Sequence, residues 1–275
     1  MLRIASLCPS NTELLDFMGL TQNLVGVDNY STWPKEVEEL PRLGSDQDID
    51  MDKVEKLHPD LVVASLTVPG MEKNIERLKE RNLPYIVLNP DSFIDIGENI
   101  LKVGEAIGDK ELAKAAYRRY HALYDECKSF SQQIKEKPSI YWEWWPKPVF
   151  TAGGNNWLTE LSELAGGRNV FAEDERASVK TDWEDVKRRN PDYVFLTWVG
   201  VKLEKINPSL LEKRPGWQEM DALQHERVIV LGDAPFCRPS PRLFIGIKKV
   251  SAILHPELFA SFSQKEAEAW LYGNS

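Results

Sequence analysis

Short apolar or β-branched runs punctuate the chain at 4–7, 24–27, 61–64 and 85–88, and again at 140–144, 193–198 and 228–231. Each is four to six residues long, a strand's length. Between them lie longer stretches with helical spacing. Regular alternation of strand and helix predicts mostly parallel sheets with helices on their faces. Two helix starts, Ser10-Asn11-Thr12-Glu13 and Thr181-Asp182-Trp183-Glu184, fit a capping box, in which hydroxyl and carboxylate satisfy the first free amides.

The two series of strands belong to an internal repeat. Asp52-Lys53-Val54-Glu55-Lys56-Leu57-His58-Pro59-Asp60-Leu61-Val62 aligns with Glu184-Asp185-Val186-Lys187-Arg188-Arg189-Asn190-Pro191-Asp192-Tyr193-Val194. The offset 191 − 59 equals 186 − 54, namely 132. In both copies a helix stops before Pro-Asp and an apolar strand follows, as proline dictates. A second echo precedes each: a Pro-containing turn and a helix ending in Gly, Leu14-Leu15-Asp16-Phe17-Met18-Gly19 and Leu161-Ser162-Glu163-Leu164-Ala165-Gly166. Two similar Rossmann-like lobes are therefore expected, at 1–108 and 137–275.

Residues 109–136 contain neither Gly nor Pro. Leu112, Ala116, Tyr120, Leu123, Cys127, Phe130 and Ile134 recur there at spacings of three and four, the stripe of one connecting helix. Its length would be about 40 Å, enough to run along both lobes, with limited hinge motion as the consequence.

At 275 residues the chain exceeds a usual single core, which agrees with two lobes. Its net charge of −9 speaks against a nucleic-acid or anionic-membrane partner, since phosphates need clustered Lys and Arg. No apolar stretch approaches a membrane span, and no signal-peptide pattern follows Met1. The expected setting is cytoplasmic unless a leader was trimmed, in which case it is periplasmic or at the cell surface. Three widely spaced cysteines do not make a disulfide framework, and four histidines show no metal-ligand spacing. No metal and no cofactor is expected.

Phosphate loops, dinucleotide fingerprints, serine elbows and zinc-protease motifs are all missing, so no enzyme is expected. Thr151-Ala152-Gly153-Gly154-Asn155-Asn156 is a weak candidate anion nest. Ligands of open α/β sheets sit beyond the strands' carboxyl ends. Those ends carry Cys8-Pro9, Tyr30, Leu66, Trp144-Trp145, Trp198 and the proline-rich loop 233–242. Seven of the nine tryptophans fall between residues 142 and 217. Trp142, Trp157 and Trp183 read as core; Trp144, Trp145 and Trp198 read equally as core or as flat contacts for a broad apolar ligand. Arg238 suits a ligand amide or carboxylate, or a surface acid. Cys8 and Cys237 are either soft-metal contacts or small buried hydrophobes.

Together these blocks resemble the cobalamin and iron-chelate substrate-binding proteins of ABC importers, the group whose lobes are joined by one helix. The resemblance spans nearly the whole chain. It rests on Ser6-Leu7-Cys8-Pro9-Ser10-Asn11-Thr12-Glu13, Val25-Gly26-Val27 with Tyr30 and Pro34, and His58-Pro59-Asp60-Leu61-Val62. Phe150-Thr151-Ala152-Gly153, Leu164-Ala165-Gly166-Gly167-Arg168-Asn169-Val170-Phe171 and Ser240-Pro241-Arg242 complete it. It implies reversible binding of a cobalamin-like corrinoid in a cleft between the lobes, with the contact roles falling on Pro9, Tyr30, Phe236 and Arg238; the strand-end residues Cys8, Leu66, Trp144, Trp145 and Trp198 complete the expected contact set. Leu66 stands where a cleft tryptophan is usual, and Cys8 where Ser or Leu is. The resemblance also implies docking to a permease through Glu72 and Glu212, which otherwise read as solvated helix charges, and a monomeric protein. Alternatives are a siderophore or haem carrier of the same fold, with Tyr30 as the candidate axial ligand, or an enzyme on the duplicated scaffold.

Overall fold

A computed structural model describes residues 1–259 and 263–273. The chain divides into two compact units, Met1–Ala122 with Pro239–Pro241, and Leu123–Arg238 with Arg242–Ser275. The first contains strands β1 (Ile4–Ser6), β2 (Leu24–Val27), β3 (Gly44–Ser45), β4 (Asp48–Ile49), β5 (Leu61–Ser65) and β6 (Tyr85–Leu88). Its helices are α1 (Pro9–Phe17), α2 (Met51–Lys56), α3 (Glu72–Glu80), α4 (Phe93–Ile107) and the start of α5 (Lys110–Ser131). Four strands form a parallel sheet in the order β2-β1-β5-β6. The residues of β5 are all buried, as a sheet covered on both faces requires.

The second unit contains β7 (Ser139–Glu143), β8 (Trp145–Pro146), β9 (Val149–Ala152), β10 (Arg168–Asn169), β11 (Ser178–Thr181), β12 (Tyr193–Leu196) and β13 (Val228–Val230). Its helices are α6 (Trp157–Leu164), α7 (Trp183–Arg189), α8 (Asp221–Gln224), α9 (Leu243–Leu254) and α10 (Gln264–Tyr272). The parallel sheet runs β10-β7-β12-β13. An antiparallel sheet, β11-β9-β8, is added beside it. The expected strand pattern did not contain this small sheet, because Pro146 and Pro148 interrupt the apolar period there.

The two parallel sheets match strand for strand, and the repeat explains how. Both copies of the helix–Pro-Asp–strand unit place their strand third, β5 and β12. His58 and Asn190, each just before the proline, both take left-handed backbone, φ 45° and 42°. Asp60 then accepts the amide of Arg3 at 2.8 Å, and Asp192 accepts the amide of Ser139 at 2.7 Å. Each aspartate ties the entry of its strand to the strand beside it. Gly19 and Gly166, which close the equivalent helices α1 and α6, sit at φ 79° and 80°, where a Cβ would be strained.

Two expectations about helix ends change. The connecting helix stops at Ser131 rather than at 136. The Ser131 hydroxyl donates to the Lys128 carbonyl, and Ser-Gln-Gln offers weak helix propensity beyond it. Ile134 leaves the helical stripe and packs against Gly166. The capping boxes also move. Proline at the first position of α1 starts that helix after Cys8, and Thr12 turns its hydroxyl to Ser6 and Ser31 instead. In α7 the cap is Asp182, which accepts the Asp185 amide at 2.8 Å. Complete boxes occur at Ser92–Asp95 and Ser263–Glu266. Among the described residues no helix is long and apolar enough to cross a membrane.

Candidate functional site

The carboxyl edge of the first sheet gathers Cys8 and Pro9 after β1, Tyr30 after β2 and Leu66 after β5. What presents Tyr30 is the turn before it. Asp28, fully buried, accepts the amides of Tyr30 at 2.7 Å and Ser31 at 3.1 Å, and also the Ser31 hydroxyl. Arg42 holds the same turn through the carbonyls of Asp28 and Ser31. An aspartate that accepts from the residues two and three ahead reverses the chain, and the ring of Tyr30 is left 53% exposed. Beneath the edge, Thr12 joins Ser6 and Ser31, both at 2.8 Å. Asn11 donates to the carbonyls of Val63 and Ala64, which fixes α1 to β5.

Cys8 is almost fully buried, with its sulfur 3.3 Å from the Ser10 hydroxyl. Burial pushes its thiol up to about 11. Pro9 is buried and Leu66 half-buried.

The second sheet's carboxyl edge gathers Trp144 after β7, Thr197 and Trp198 after β12, and the loop holding Phe236, Cys237 and Arg238 after β13. Trp145 belongs to β8 and is 42% exposed, its indole donating to the Lys147 carbonyl. Trp144 is half-buried and lies 6.2 Å from the Trp157 ring. Its Nε1 is buried without a hydrogen-bond partner among the described residues, and so is the hydroxyl of Thr197 on the adjacent strand end. Native interiors leave few such atoms unmatched.

Phe236 is only 1% exposed and packs 5.7 Å from Trp142, so it supports the loop from inside rather than showing a face to solvent. Trp157 fastens the same loop by donating to the Phe236 carbonyl at 2.8 Å. Cys237 donates to the Thr197 carbonyl at 3.5 Å, and burial pushes its thiol up to about 12. Arg238 is half-buried.

Sequence reasoning missed the interior of this edge. Glu143, the last residue of β7, is fully buried and receives Arg214 in a two-pronged pair at 2.6 and 2.8 Å. It also accepts the Trp198 indole at 3.1 Å and the Tyr141 hydroxyl at 3.0 Å. Arg214 lies over the rings of Trp217 and Trp183, at 4.3 and 5.0 Å. The Tyr141 hydroxyl stays protonated well beyond its usual range because of burial and then the Glu143 charge. The apolar stretch around Glu143 was the available signal: a carboxylate inside a buried strand requires a cation.

The glycine segment does not form an anion nest. Gly153 and Gly154 donate to the carbonyls of Ala177 and Asp174, and a Cβ on Gly153 would lie 2.0 Å from the Arg176 carbonyl oxygen. Their amides serve the β9–β11 packing. Among the described residues no cluster of three His, Cys, Asp or Glu could hold a metal ion. His58 and His225 precede β5 and β13, His121 lies on α5, and His255 follows α9 with its Nε2 at the Gly166 carbonyl. None of the four lies in the segment that follows a strand of either parallel sheet. Glu72 opens α3 and Glu212 lies in a 3₁₀ turn (Pro208–Lys213), both exposed.

Comparison with known proteins agrees with this architecture. An uncharacterized ABC transporter substrate-binding lipoprotein of Bacillus subtilis is 30% identical over 94% of this chain and 81% of its own length. The vitamin B12-binding protein of Vibrio parahaemolyticus is 28% identical over 90% of this chain and 87% of its own. The periplasmic haem-binding protein RhuT of Roseiflexus superposes with a TM-score of 0.81 at 22% identity, covering 93% of this chain and 98% of that one. The profile of the periplasmic binding proteins matches residues 4–235, and the chain belongs to that family.

Proposed function

We propose that the protein is the substrate-binding component of an ABC-type importer and that its ligand is a cobalamin-like corrinoid. The ligand contacts assigned in this reading are Cys8, Pro9, Tyr30 and Leu66 of the first unit and Trp144, Trp145, Trp198 and Arg238 of the second, with Phe236 supporting the Arg238 loop from inside. The observation that carries the reading is the chemistry of these edges. Tyr30 and Trp145 offer exposed rings, and Trp144 Nε1 and Thr197 Oγ1 are buried polar atoms awaiting partners. A corrin is broad, largely apolar and rimmed with amides, so rings and unspent donors suit it together. The Vibrio relative bears a vitamin B12-binding name, which supports the same ligand class.

A haem carrier is the second reading, supported by the structural likeness to the Roseiflexus protein. Haem iron takes a protein axial ligand, commonly His. All four histidines lie elsewhere, which leaves Tyr30 as the candidate. With either ligand, Glu72 and Glu212 are the proposed permease contacts, and a monomer is the proposed state.

Titration with cyanocobalamin, cobinamide and hemin, followed by absorbance and calorimetry, decides between the ligands. A saturable one-to-one shift with either corrinoid is expected. No shift or heat up to millimolar corrinoid would overturn the ligand assignment. A Soret change with hemin that disappears in Tyr30→Phe would establish the haem reading instead.

A further inference from the structure

We infer that Glu143 and Arg214 are a positioning pair, which holds the Trp198 ring in place at the carboxyl edge of the second sheet without touching the ligand. This rests on the reading above in taking Trp198 as a ligand contact.

The pair lies in the core of the second unit, where Glu143 is 0% and Arg214 4% exposed. A carboxylate has about four lone-pair sites. Here all are used: two by Arg214, one by Tyr141 and one by Trp198. Such a buried pair is a poor source of net stability, because desolvating two charges offsets most of their attraction. An apolar pair of equal volume would fill the same space at little cost. What an apolar pair cannot do is accept the indole N–H. Trp198 is the one donor of the set that lies beyond its strand, past the end of β12 at Leu196, and the Glu143 bond fixes the ring's rotation there.

The cation is itself immobilised. Arg214 stacks over Trp217 and Trp183, and Trp217 Nε1 donates to the Trp183 carbonyl at 3.0 Å, so both rings under the guanidinium are tied together. Arg214 also follows the 3₁₀ turn Pro208–Lys213 directly. The orientation of Trp198 is thus set from a segment 71 positions away from Glu143. A rigid second layer of this kind is what keeps a contact ring in one rotamer and lowers the entropy lost on binding.

The double variant E143L/R214M separates positioning from stability. It removes both charges together and, with Tyr141→Phe added so that no buried hydroxyl loses its acceptor, its melting temperature should stay near that of the wild type, while its affinity for hydroxocobalamin should fall about tenfold. Trp198→Phe keeps the ion pair but replaces the indole by a smaller phenyl ring and removes the bond, and should weaken the same binding about fivefold. Wild-type affinity in both variants would overturn the inference. Should the double variant not fold, Trp198→Phe alone carries the affinity test. A readout free of any ligand is the indole N–H resonance of Trp198, assigned by its loss in Trp198→Phe. It should move markedly in Glu143→Gln, which keeps an acceptor but not the charge. An unmoved resonance would overturn the inference whether or not the wild type binds a corrinoid, so failure here is distinct from failure of the ligand assignment.

Discussion

Burial pushes all three thiols upward, Cys8 to about 11 and Cys127 and Cys237 to about 12. The main cause is the same in each, loss of solvent around a group that ionises poorly in an apolar setting. The Ser10 hydroxyl beside Cys8 pulls the other way but does not win. The thiolate is the nucleophile and the metal ligand, so the upward shifts favour small hydrophobic contact over metal ligation for Cys8 and Cys237. At pH 8 iodoacetamide should alkylate all three thiols in urea and each of them at least tenfold more slowly in the folded protein, read by mass spectrometry. Rapid single labelling of the folded chain at Cys8 or Cys237 would contradict this. The same shifts bear on alkaline stability. A thiol whose folded value exceeds its unfolded value near 9 keeps its proton while the unfolded chain gives its own up. Its contribution is whole below pH 9 and is lost as pH rises toward 12. The urea midpoint should therefore decline over that window, and decline less steeply in Cys127→Ala. Legibility was uneven among single residues. Tyr30 and Trp145 were readable as edge aromatics, whereas the role of Trp198 depends on an ion pair formed 71 positions apart, which no local pattern encodes.

The helix–Pro-Asp–strand unit is the best test at the level of elements, because the chain contains it twice. The offset of 132 was visible in the letters; the hydrogen bonds that make it useful were not. Asp192 accepts both the amide and the hydroxyl of Ser139, at 2.7 and 2.6 Å, whereas Asp60 accepts only the amide of Arg3. Asp192 is also the less exposed of the two. Asp192→Ala should therefore cost about 1–2 kcal/mol and Asp60→Ala about half of that, both measured as urea midpoints. A larger loss at Asp60 would mean that the two copies do not share this device. Element ends were harder to read than element identities. Pro9 overrode the expected box at Ser10 by fixing the first turn of α1, and the Ser131 hydroxyl competed with the helix it ends. The hairpin of β8 and β9 escaped notice because its two prolines break the strand period, although Trp145 and Phe150 pair across it.

For the whole molecule, duplication made the architecture legible, since two similar sheets in one chain are announced by any well-preserved segment of either. The order β2-β1-β5-β6 against β10-β7-β12-β13 is the same arrangement built twice. Partners are a different matter, because a docking surface leaves no periodicity. The proposed permease contacts can nonetheless be argued on chemistry. Glu72 opens α3 and its carboxylate accepts the Gly70 amide at 2.7 Å, which orients it at the surface without neutralising it. A carboxylate at a helix start is favoured by the helix dipole. Glu212 borders a hollow of about 470 Å³ whose wall also includes Glu226, Gln218 and the apolar Leu223 and Val228. A lining that combines two carboxylates with apolar side chains suits an arginine, whose stem is greasy and whose head is charged. Charge reversal at such rim positions acts on association more than on the fold. In lipid nanodiscs containing the ABC importer proposed as its partner, stimulation of ATP hydrolysis at saturating ligand should fall tenfold or more for the double variant Glu72→Lys, Glu212→Lys. Its melting temperature should stay near that of the wild type and its corrinoid affinity within about twofold, since neither side chain is among the proposed ligand contacts. Full stimulation by the double variant would remove both glutamates from the docking surface, and a parallel loss of ligand affinity would show that they act on the binding unit itself.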